Sequence, residues 1–341
     1  MMAVYLLLLL AVCCWGLKFS SFHEDYLSIP ATTAIKGVFT FLILLSHLRQ
    51  YITLGPGLSD RAFGFTLRYL DQLIVVPFLF YSGFGIAESA RNKEGYGKGF
   101  FKKRFLKTLL HFDLAVLLFL ILQTILGTQF ETRDYVWCWI GWTSLGNSNW
   151  FIFDILALYL IAGAALLLKE RFKWSEYFIG GAVTLGLLVL WLLLYHFKAP
   201  EHWWYDTLAA FPAGIWFSMI RHGQPKSSNP SRWYFIVAFF VGLLLWRQFV
   251  GIDIYGCCSI LFAWAIVAAS CFIKVSNKAL QWLGKHCFSL YILQRLPMIL
   301  FSRTQLVEKP ILFTAAVFVV AIPLAALFTA ATDQIDKRIF A

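Results

Sequence analysis

The chain carries little charge for its size. Only 14% of its 341 residues are Asp, Glu, Lys or Arg, whereas soluble domains have about 25%. This low charge, combined with 60% hydrophobic residues, excludes a disordered chain, a disulfide-rich scaffold and a collagen-like chain. Apolar runs long enough to cross a bilayer take up most of the sequence. The composition therefore predicts an all-α polytopic membrane protein, a single helix bundle without a soluble domain.

Two kinds of motif are missing from the sequence. The seven cysteines lie mostly inside apolar runs, and none forms a CxxC motif. Because zinc sites and redox pairs use closely spaced cysteines, we predict neither a metal site nor a redox centre. The N-terminal apolar run also lacks the basic segment and the small-residue cleavage site of a secretory signal. We therefore expect it to be retained as a first helix.

Eleven apolar runs are predicted to span the membrane. Each approaches the length that a helix needs to cross the hydrocarbon core, and none alternates as lipid-facing barrel strands do. They cover residues 2–18, 34–54, 70–90, 105–127, 149–168, 176–196, 203–220, 233–250, 254–274, 286–302 and 310–331. The chain 1–341 is thus predicted to be one membrane domain, with an extra N-terminal helix at about 2–18 and a core at about 34–331.

The charges of the loops predict the orientation of the helices. Residues 91–107 carry seven Lys and Arg side chains, whereas the loops at 128–148, 197–202 and 251–253 are poor in cations. Cytoplasmic loops of membrane proteins are enriched in Lys and Arg. We therefore expect the protein to lie in the inner (cytoplasmic) membrane, with residues 91–107 and the C-terminus in the cytoplasm and the N-terminus outside. This role accounts for the net charge of +11 without a nucleic-acid partner.

A histidine in the second apolar run is the leading candidate for chemistry. His47 follows Lys36 by eleven residues, about three turns or ~16 Å along a helix, so both side chains lie on one face. This spacing predicts His47 near the middle of the membrane, beside Ser46. A neutral histidine there accepts a proton from a hydroxyl group at pH 7. The alternative is a core histidine that is hydrogen-bonded to a neighbouring helix.

A basic helix start and a glycine pair are the second group of candidates. Arg104 and Lys107 lie three residues apart and therefore share a helix face. Such a pair suits a phosphate-rich ligand, although a plain cytoplasmic anchor is the simpler interpretation. Gly83 and Gly85, late in the preceding apolar run, permit close approach of a helix or of a ligand.

The predicted outer mouth of the bundle supplies a third group. Asn149 and Trp150 begin the fifth apolar run, and Asp154 lies one turn deeper. The Asp154 carboxylate is suited to orienting an imidazole or binding a sugar hydroxyl. It is equally suited to an ion pair with Arg247 or Arg295, because charged groups inside a membrane need partners.

The order and spacing of these motifs resemble acyltransferase family 3, a family of integral membrane proteins that includes many bacterial O-acetyltransferases of surface polysaccharides. The resemblance extends from about residue 25 to 331 and rests on several short motifs together. The matches are Lys36 and His47 for a basic-x10-His helix, Ser82, Gly83 and Phe84 for a Ser-Gly-Phe helix end, Arg104 and Lys107 for a cytoplasmic Arg-x-x-Arg, and Leu283, Gly284 and Tyr291 for a late helix in which Gln294 stands where many members have histidine.

The resemblance implies transfer of an acyl group, usually acetyl, from cytoplasmic acyl-CoA as co-substrate to a hydroxyl of a carbohydrate or glycolipid, with no permanently bound cofactor and the lipid bilayer as surroundings. His47 would be the base. The candidates are His47 and Asp154 for catalysis, Lys36, Ser82, Gly83, Phe84, Lys103, Arg104 and Lys107 for acyl-CoA, and Ser46, Arg49, Asn149, Trp150, Arg247, Gln294 and Arg295 for the acceptor side or the oxyanion.

The sequence departs from the family pattern at two positions. Lys107 cannot form the planar, two-pronged contact that an arginine makes, and Gln294 cannot take up a proton. Two other function classes stay open on the residues alone. A transporter or flippase would line a path with buried charges, but the sequence lacks an inverted repeat. A non-catalytic scaffold would tolerate alanine at the polar positions within the membrane.

Overall fold

Helices account for almost all regular structure in the computed structural model, which describes residues 1–222 and 255–340. The helices are α1 Ala3–Cys14, α2 Ile29–Leu48, α3 Leu58–Leu70, α4 Val76–Asn92, α5 Tyr96–Phe100, α6 Lys107–Ile125, α7 Thr132–Trp137, α8 Trp150–Phe172, α9 Tyr177–Lys198, α10 Ala210–His222, α11 Tyr255–Phe272, α12 Lys278–Lys285, α13 Cys287–Leu293, α14 Arg295–Ser302 and α15 Pro310–Ile339; two short strands, β1 Lys18–Phe19 and β2 Ile273–Lys274, pair antiparallel. The predicted all-α fold is confirmed. The predicted span 233–250, the loop 251–253 and Arg247 lie outside the described residues.

Within the described residues, seven helical stretches are long and apolar enough to cross a membrane. They are Ile29–Leu48, Leu58–Asn92, Tyr96–Ile125, Trp150–Phe172, Tyr177–Lys198, Tyr255–Phe272 and Pro310–Ile339. Two further apolar stretches, α1 and the pair α13–α14, are shorter. The chain is therefore a multi-pass membrane protein, and no soluble domain is evident in the part that the structure describes.

The first predicted span is wrong in length. α1 has 12 helical residues rather than the predicted 2–18, so it rises about 18 Å and is shorter than the ~30 Å hydrocarbon core. Contacts hold α1 to the bundle at both of its ends. The Met2 amide donates to Asp60 of α3 over 2.7 Å, and the Asn277 side chain donates to the carbonyl of Trp15 over 3.0 Å.

α2 ends earlier than the predicted 34–54. Ser28 caps its start with a side-chain oxygen, and the helix stops at Leu48. The chain then turns, with the Gln50 amide donating to the carbonyl of His47 over 3.1 Å. His47, which the sequence places half-way along its span, therefore lies in the last turn of α2.

The predicted span 286–302 is two helices. α13 and α14 meet at Gln294, three residues before Pro297. Proline has no amide hydrogen, so the carbonyl of Leu293 lacks its usual partner one turn later, and the proline ring disfavours a continuous helix there. The break places a polar side chain at the junction inside the bundle, where Gln294 is fully buried.

The backbones of α2 and α12 are in direct contact. A methyl group built on Gly37 would overlap the carbonyl oxygen of Leu280, and one built on Gly284 would overlap that of Thr33. Small residues allow such close approach of membrane helices, which replaces the missing hydrophobic driving force with van der Waals packing. The contact fixes the face of α2 that carries Lys36 against the chain segment that leads into α13.

Loops predicted to share a side of the membrane contact one another. Nε of Arg91 at the end of α4 donates to Glu176 before α9 over 2.9 Å. At the other end of α9, the ammonium group of Lys198 donates to the carbonyl of Trp142 over 3.3 Å. The contacts thus join loops that were predicted to lie on the same side of the membrane. Which of the two sides faces the cytoplasm stays a prediction.

Candidate active site

Three segments that are distant in sequence meet around His47. They are the last turn of α2, the junction of α13 with α14, and the loop that precedes α8. The structure brings together His47, Gln50, Ser148, Gln294 and Arg295, which we call the His47 cluster. The sequence singled out three of these residues, His47, Gln294 and Arg295, without indicating that they meet.

Gln294 fixes the proton arrangement on the histidine ring. Its amide nitrogen lies 2.7 Å from Nδ1 of His47 and 3.2 Å from the carbonyl oxygen of Tyr291. A carbonyl oxygen only accepts, so this nitrogen must be the NH₂ group, and its second hydrogen points to the ring. In the neutral ring, Nδ1 therefore carries the lone pair and Nε2 carries the hydrogen. Nδ1 is the basic atom of the site.

Arg295 ties the cluster together. Its Nε donates to Oγ of Ser148 over 3.1 Å, and its Nη2 donates to Oε1 of Gln50 over 2.6 Å. Oγ of Ser148 in turn lies 3.5 Å from Nδ1 of His47. A guanidinium group with hydrogen-bond donors in a fixed fork holds such neighbours in one geometry and presents positive charge next to the imidazole.

Asp154 does not join the cluster. Its side chain is 1% exposed, and neither carboxylate oxygen has a hydrogen-bond partner among the described residues. Of the alternatives open for Asp154, the structure does not form the ion pair with Arg295, because the Arg295 guanidinium bonds to Ser148 and Gln50 in the part of the chain that the structure describes. The alternative partner, Arg247, lies outside the described residues.

The other acceptor-side candidates lie close to the cluster in sequence. The Asn149 side chain donates to the carbonyl of Gly141 over 2.9 Å and so holds the loop before α8. The Trp150 ring packs edge-on against Phe151. Arg49, directly after α2, has a buried Nε without a hydrogen-bond partner among the described residues. Ser46, one residue before His47, is half-buried.

The donor-side candidates Ser82 and Arg104 meet at a residue that the sequence did not single out. Oγ of Ser82 lies 3.1 Å from the hydroxyl of Tyr159 on α8. The charge of Arg104 acts on the same tyrosine and on Tyr96. Arg104 lies on the π-helical turn Phe101–Leu106 and is exposed, and such turns are frequent at functional sites. An exposed arginine between two phenols is suited to an anionic ligand.

Lys107, predicted to work beside Arg104, has a different partner. Its ammonium group lies 2.6 Å from Oδ2 of Asp336 on α15, and Nε2 of His111 lies 2.9 Å from the other oxygen of that carboxylate. The ion pair joins α6 to α15. Lys103, on the same π-helical turn as Arg104, is exposed and has no such partner among the described residues.

Gly83 is a helix-packing residue. A methyl group on Gly83 of α4 would overlap the carbonyl oxygen of Phe211, and one on Gly214 of α10 would overlap that of Phe80. Of the two sequence-based alternatives for this glycine, the structure realises the close approach of a helix. Phe84 is buried in the same region of the core.

Sequence reasoning missed three polar residues of these sites, Gln50, Ser148 and Tyr159. Gln50 directly follows the candidate Arg49, and Ser148 directly precedes the candidate Asn149. For Gln50 and Ser148 the position next to a candidate residue was the one signal in the sequence, because serine and glutamine at helix ends are otherwise common. Tyr159, in the interior of α8, had no such signal. The contact that matters, between a loop and two helices, is tertiary.

A comparison with protein families gives one match that covers nearly the whole chain. The model described as an acyltransferase domain, that of acyltransferase family 3, matches residues 29–330. No curated protein and no solved structure gives a significant match. The matched region contains every residue of the His47 cluster, and also Ser82, Arg104 and Tyr159. The chain belongs to acyltransferase family 3 and is a membrane acyltransferase.

Proposed function

We propose that the chain transfers an acyl group, acetyl in the simplest case, from acyl-CoA to a hydroxyl group of a carbohydrate or glycolipid acceptor, with His47 as general base. One observation carries the proposal: the imidazole of His47 presents its basic nitrogen within a polar cluster that includes Arg295, in a chain of an acyltransferase family. A base and a cation side by side are what attack of a hydroxyl on a thioester requires.

The reaction is a direct acyl transfer. The acceptor oxygen attacks the carbonyl carbon of the thioester while its proton passes to Nδ1 of His47. The tetrahedral intermediate then breaks its carbon–sulfur bond, and the imidazolium returns the proton to the departing CoA sulfur. Because the single lone pair of Nδ1 accepts a hydrogen bond from Gln294 at 2.7 Å, the acceptor hydroxyl has to displace the Gln294 amide from Nδ1 before its proton transfers.

Arg295 and Ser148 are our candidates for stabilising the oxyanion. Arg295 donates to Oγ of Ser148, which leaves the serine hydroxyl hydrogen free to donate to another oxygen. A preorganised donor backed by a positive charge favours the negative oxygen of the intermediate over the neutral thioester. Asp154, near Tyr291 and without a hydrogen-bond partner among the described residues, is a second catalytic candidate for binding an acceptor hydroxyl.

The donor would enter at the Arg104 end of the bundle. We propose that Arg104 and Lys103 hold the phosphates of CoA, with Ser82 and Tyr159 behind them, because charge-assisted hydrogen bonds to phosphate are among the strong ones in proteins. In this proposal the protein lies in the inner membrane with Arg104 on the cytoplasmic side. The acceptor is acylated near the opposite face of that membrane.

The experiment measures transfer of radiolabel from [¹⁴C]acetyl-CoA to glycan or glycolipid by the purified protein in lipid vesicles. We expect His47→Ala to lose at least ~100-fold in rate, since general bases contribute about 10²–10⁴-fold. His196→Ala is the matched control, because His196 is an exposed histidine at the end of α9. Wild-type transfer by His47→Ala would overturn the assignment of the base. Movement of acceptor without loss of the label from CoA would indicate a transporter instead.

A further inference from the structure

A narrow apolar cavity lies directly beside the His47 cluster. It has a volume of about 60 Å³ and is enclosed by α2, α4, α13 and the start of α8. Its walls include Thr40, Ile43, Phe78, Phe151, Cys287 and Gln294, and we call it the Thr40–Gln294 cavity. Its inner surface is almost entirely carbon. The proposed base assignment does not use this space.

The cavity occupies the stretch of α2 between Lys36 and His47. At its lower end, the hydroxyl of Thr40 donates to the carbonyl of Lys36 over 2.7 Å, so this polar group is already satisfied and adds no demand for water. The charge of Lys36 acts on Cys287 at the same end. The cavity thus begins next to a cation and follows α2 for about one helical turn, from Thr40 to Leu44, towards His47.

The upper end of the cavity is formed by residues that contact the base. Gln294 lines the cavity and its amide nitrogen lies 2.7 Å from Nδ1 of His47. Tyr291 also lines it, with its ring centroid 6.0 Å from that of His47. A thioester carbonyl at this end would be within reach of an acceptor hydroxyl held at Nδ1, and its acyl chain would extend into the cavity.

The volume limits the chain that fits. A water-sized group needs about 10–15 Å³ of such space, so a cavity of about 60 Å³ holds roughly four such groups. Methyl and methylene groups are somewhat larger than water. We propose that the Thr40–Gln294 cavity binds the acyl chain of the donor and restricts transfer to short chains of about two to four carbons.

This inference rests on the proposed function and names the substrate class of that same site. Its physical basis is that an apolar pocket excludes a chain that is too long, because the surrounding packed side chains do not yield without strain. Burial of each methylene favours binding by about fourfold, so the cavity also favours acyl groups that fill it over a bare formyl group.

The experiment measures transfer from acetyl-, butyryl-, hexanoyl- and octanoyl-CoA by the protein in vesicles. We expect the wild-type protein to use the first two and to lose at least ~10-fold with the octanoyl donor. Phe78→Ala enlarges the cavity and should raise the ratio of hexanoyl to acetyl transfer at least ~10-fold. Ile43→Ala, a smaller change in the same wall, should raise it less and serves if Phe78→Ala does not fold. Leu44→Phe fills the cavity and should keep acetyl transfer while it loses butyryl transfer.

Phe39→Ala is the matched control. Phe39 lies on the same helix and is buried, but it lines a different cavity and packs edge-on against Phe262. It should leave the hexanoyl-to-acetyl ratio unchanged. If Phe78→Ala and Ile43→Ala transfer acyl groups with the wild-type preference, or if Phe39→Ala shifts it equally, the inference is overturned while the proposed function stands. Absence of transfer from every donor by the wild-type protein would overturn both.

Discussion

The side-chain nitrogen of Gln294 lies 2.7 Å from Nδ1 of His47, across a gap of 247 residues in the sequence. Gln294 does not titrate, but its hydrogen bond determines which nitrogen of the His47 ring carries the lone pair. The family resemblance places Gln294 where many members have histidine. Either side chain offers an N–H to the ring, so the departure preserves the hydrogen bond although it removes a titrating group.

Replacement of Gln294 by leucine should slow acyl transfer about 5- to 30-fold. The change removes the close donor to Nδ1 and leaves that nitrogen only the longer contact with Ser148, which costs about 1–2 kcal/mol for a buried group. Gln294→His, which restores an N–H donor, should retain more activity than Gln294→Leu. Initial rates with saturating acetyl-CoA provide the measurement. Gln281→Leu is the control, since Gln281 bonds to Ser276 before α12, away from the cluster. Equal rates for Gln294→Leu and the wild type would show that the contact has no role in catalysis.

Gly83→Ala should lower the thermal stability of the protein by about 1–3 kcal/mol, whereas Gly85→Ala should leave it nearly unchanged. A methyl group on Gly83 would overlap a backbone carbonyl of α10, but one on Gly85 of the same helix meets no atom within 4 Å. Overpacking forces the helices apart, and the control glycine has open space. Melting temperatures in detergent, followed by fluorescence-detected size exclusion, measure the difference. Similar melting temperatures for both variants would contradict the packing role of Gly83.

Arg104→Gln and Lys107→Gln should affect different quantities. Arg104 is exposed beside Tyr96 and Tyr159, so we expect its loss to raise the KM for acyl-CoA about tenfold. Lys107 is paired with Asp336, so we expect its loss to lower stability by about 1 kcal/mol or less, as for a partly exposed ion pair.

A double-mutant cycle separates the two roles of the lysine. If Lys107 is structural, Lys107→Gln and Asp336→Asn together should cost less stability than the sum of the single changes, and the donor KM should stay within about twofold of the wild type. A large rise in the donor KM for Lys107→Gln but not for Asp336→Asn would instead show that Lys107 contacts the donor.

The ion pair between Asp25 and Lys274 should add a small, pH-dependent stability. A hydrogen bond from Lys274 lowers the pKa of the Asp25 carboxyl below its ordinary value. A carboxyl with a lowered folded-state pKa stabilises the folded state above the unfolded value of about 3.9, and this contribution is lost as the pH falls through the folded value. Because the Asp25 side chain is 48% exposed, solvent screening limits the contribution to below about 1 kcal/mol.

Melting temperatures of the wild type and Asp25→Asn between pH 7 and pH 3 provide the measurement. We expect a constant difference between pH 7 and about pH 5 that shrinks as the pH falls below the unfolded value of about 3.9 and towards the lowered pKa of the folded state. Asp333→Asn is the control, because Asp333 is an exposed carboxylate of α15 that forms no ion pair among the described residues. A difference between wild type and Asp25→Asn that stays the same size from pH 7 to pH 3 would exclude the carboxylate charge as its cause.

The sequence predicted the helices better than their ends. Apolar length alone located the long apolar helices, because a span in lipid must satisfy its own backbone hydrogen bonds. It did not predict the shorter or less apolar helices α3, α5, α7 and α12. It placed the end of α2 too late, since Tyr51 and Ile52 after Leu48 are as apolar as a helix continuation. It also missed the break at Gln294, which Pro297 explains in retrospect.

The candidate site was predictable to the level of single helices. The spacing of Lys36 and His47 and the family motifs singled out His47, our proposed base, and the residue at position 294. The partners Ser148 and Tyr159 could not be predicted, because each contact joins segments more than seventy residues apart and depends on how the helices pack. Helix packing in turn depends on close contacts at Gly37, Gly83, Gly214 and Gly284. The sequence alone does not predict which helix each of these glycines contacts.

The glycine contact between α2 and α12 has a consequence for how the protein is made. The helix that carries His47 is synthesised well before the backbone against which Gly37 packs, because that backbone belongs to α12, far later in the sequence. While the ribosome synthesises the intervening helices, α2 lies in the bilayer without its contact to α12. We therefore expect the bundle to close around the histidine only after α12 has been made, so chains truncated before α12 should be substrates for membrane proteases rather than partly active enzymes.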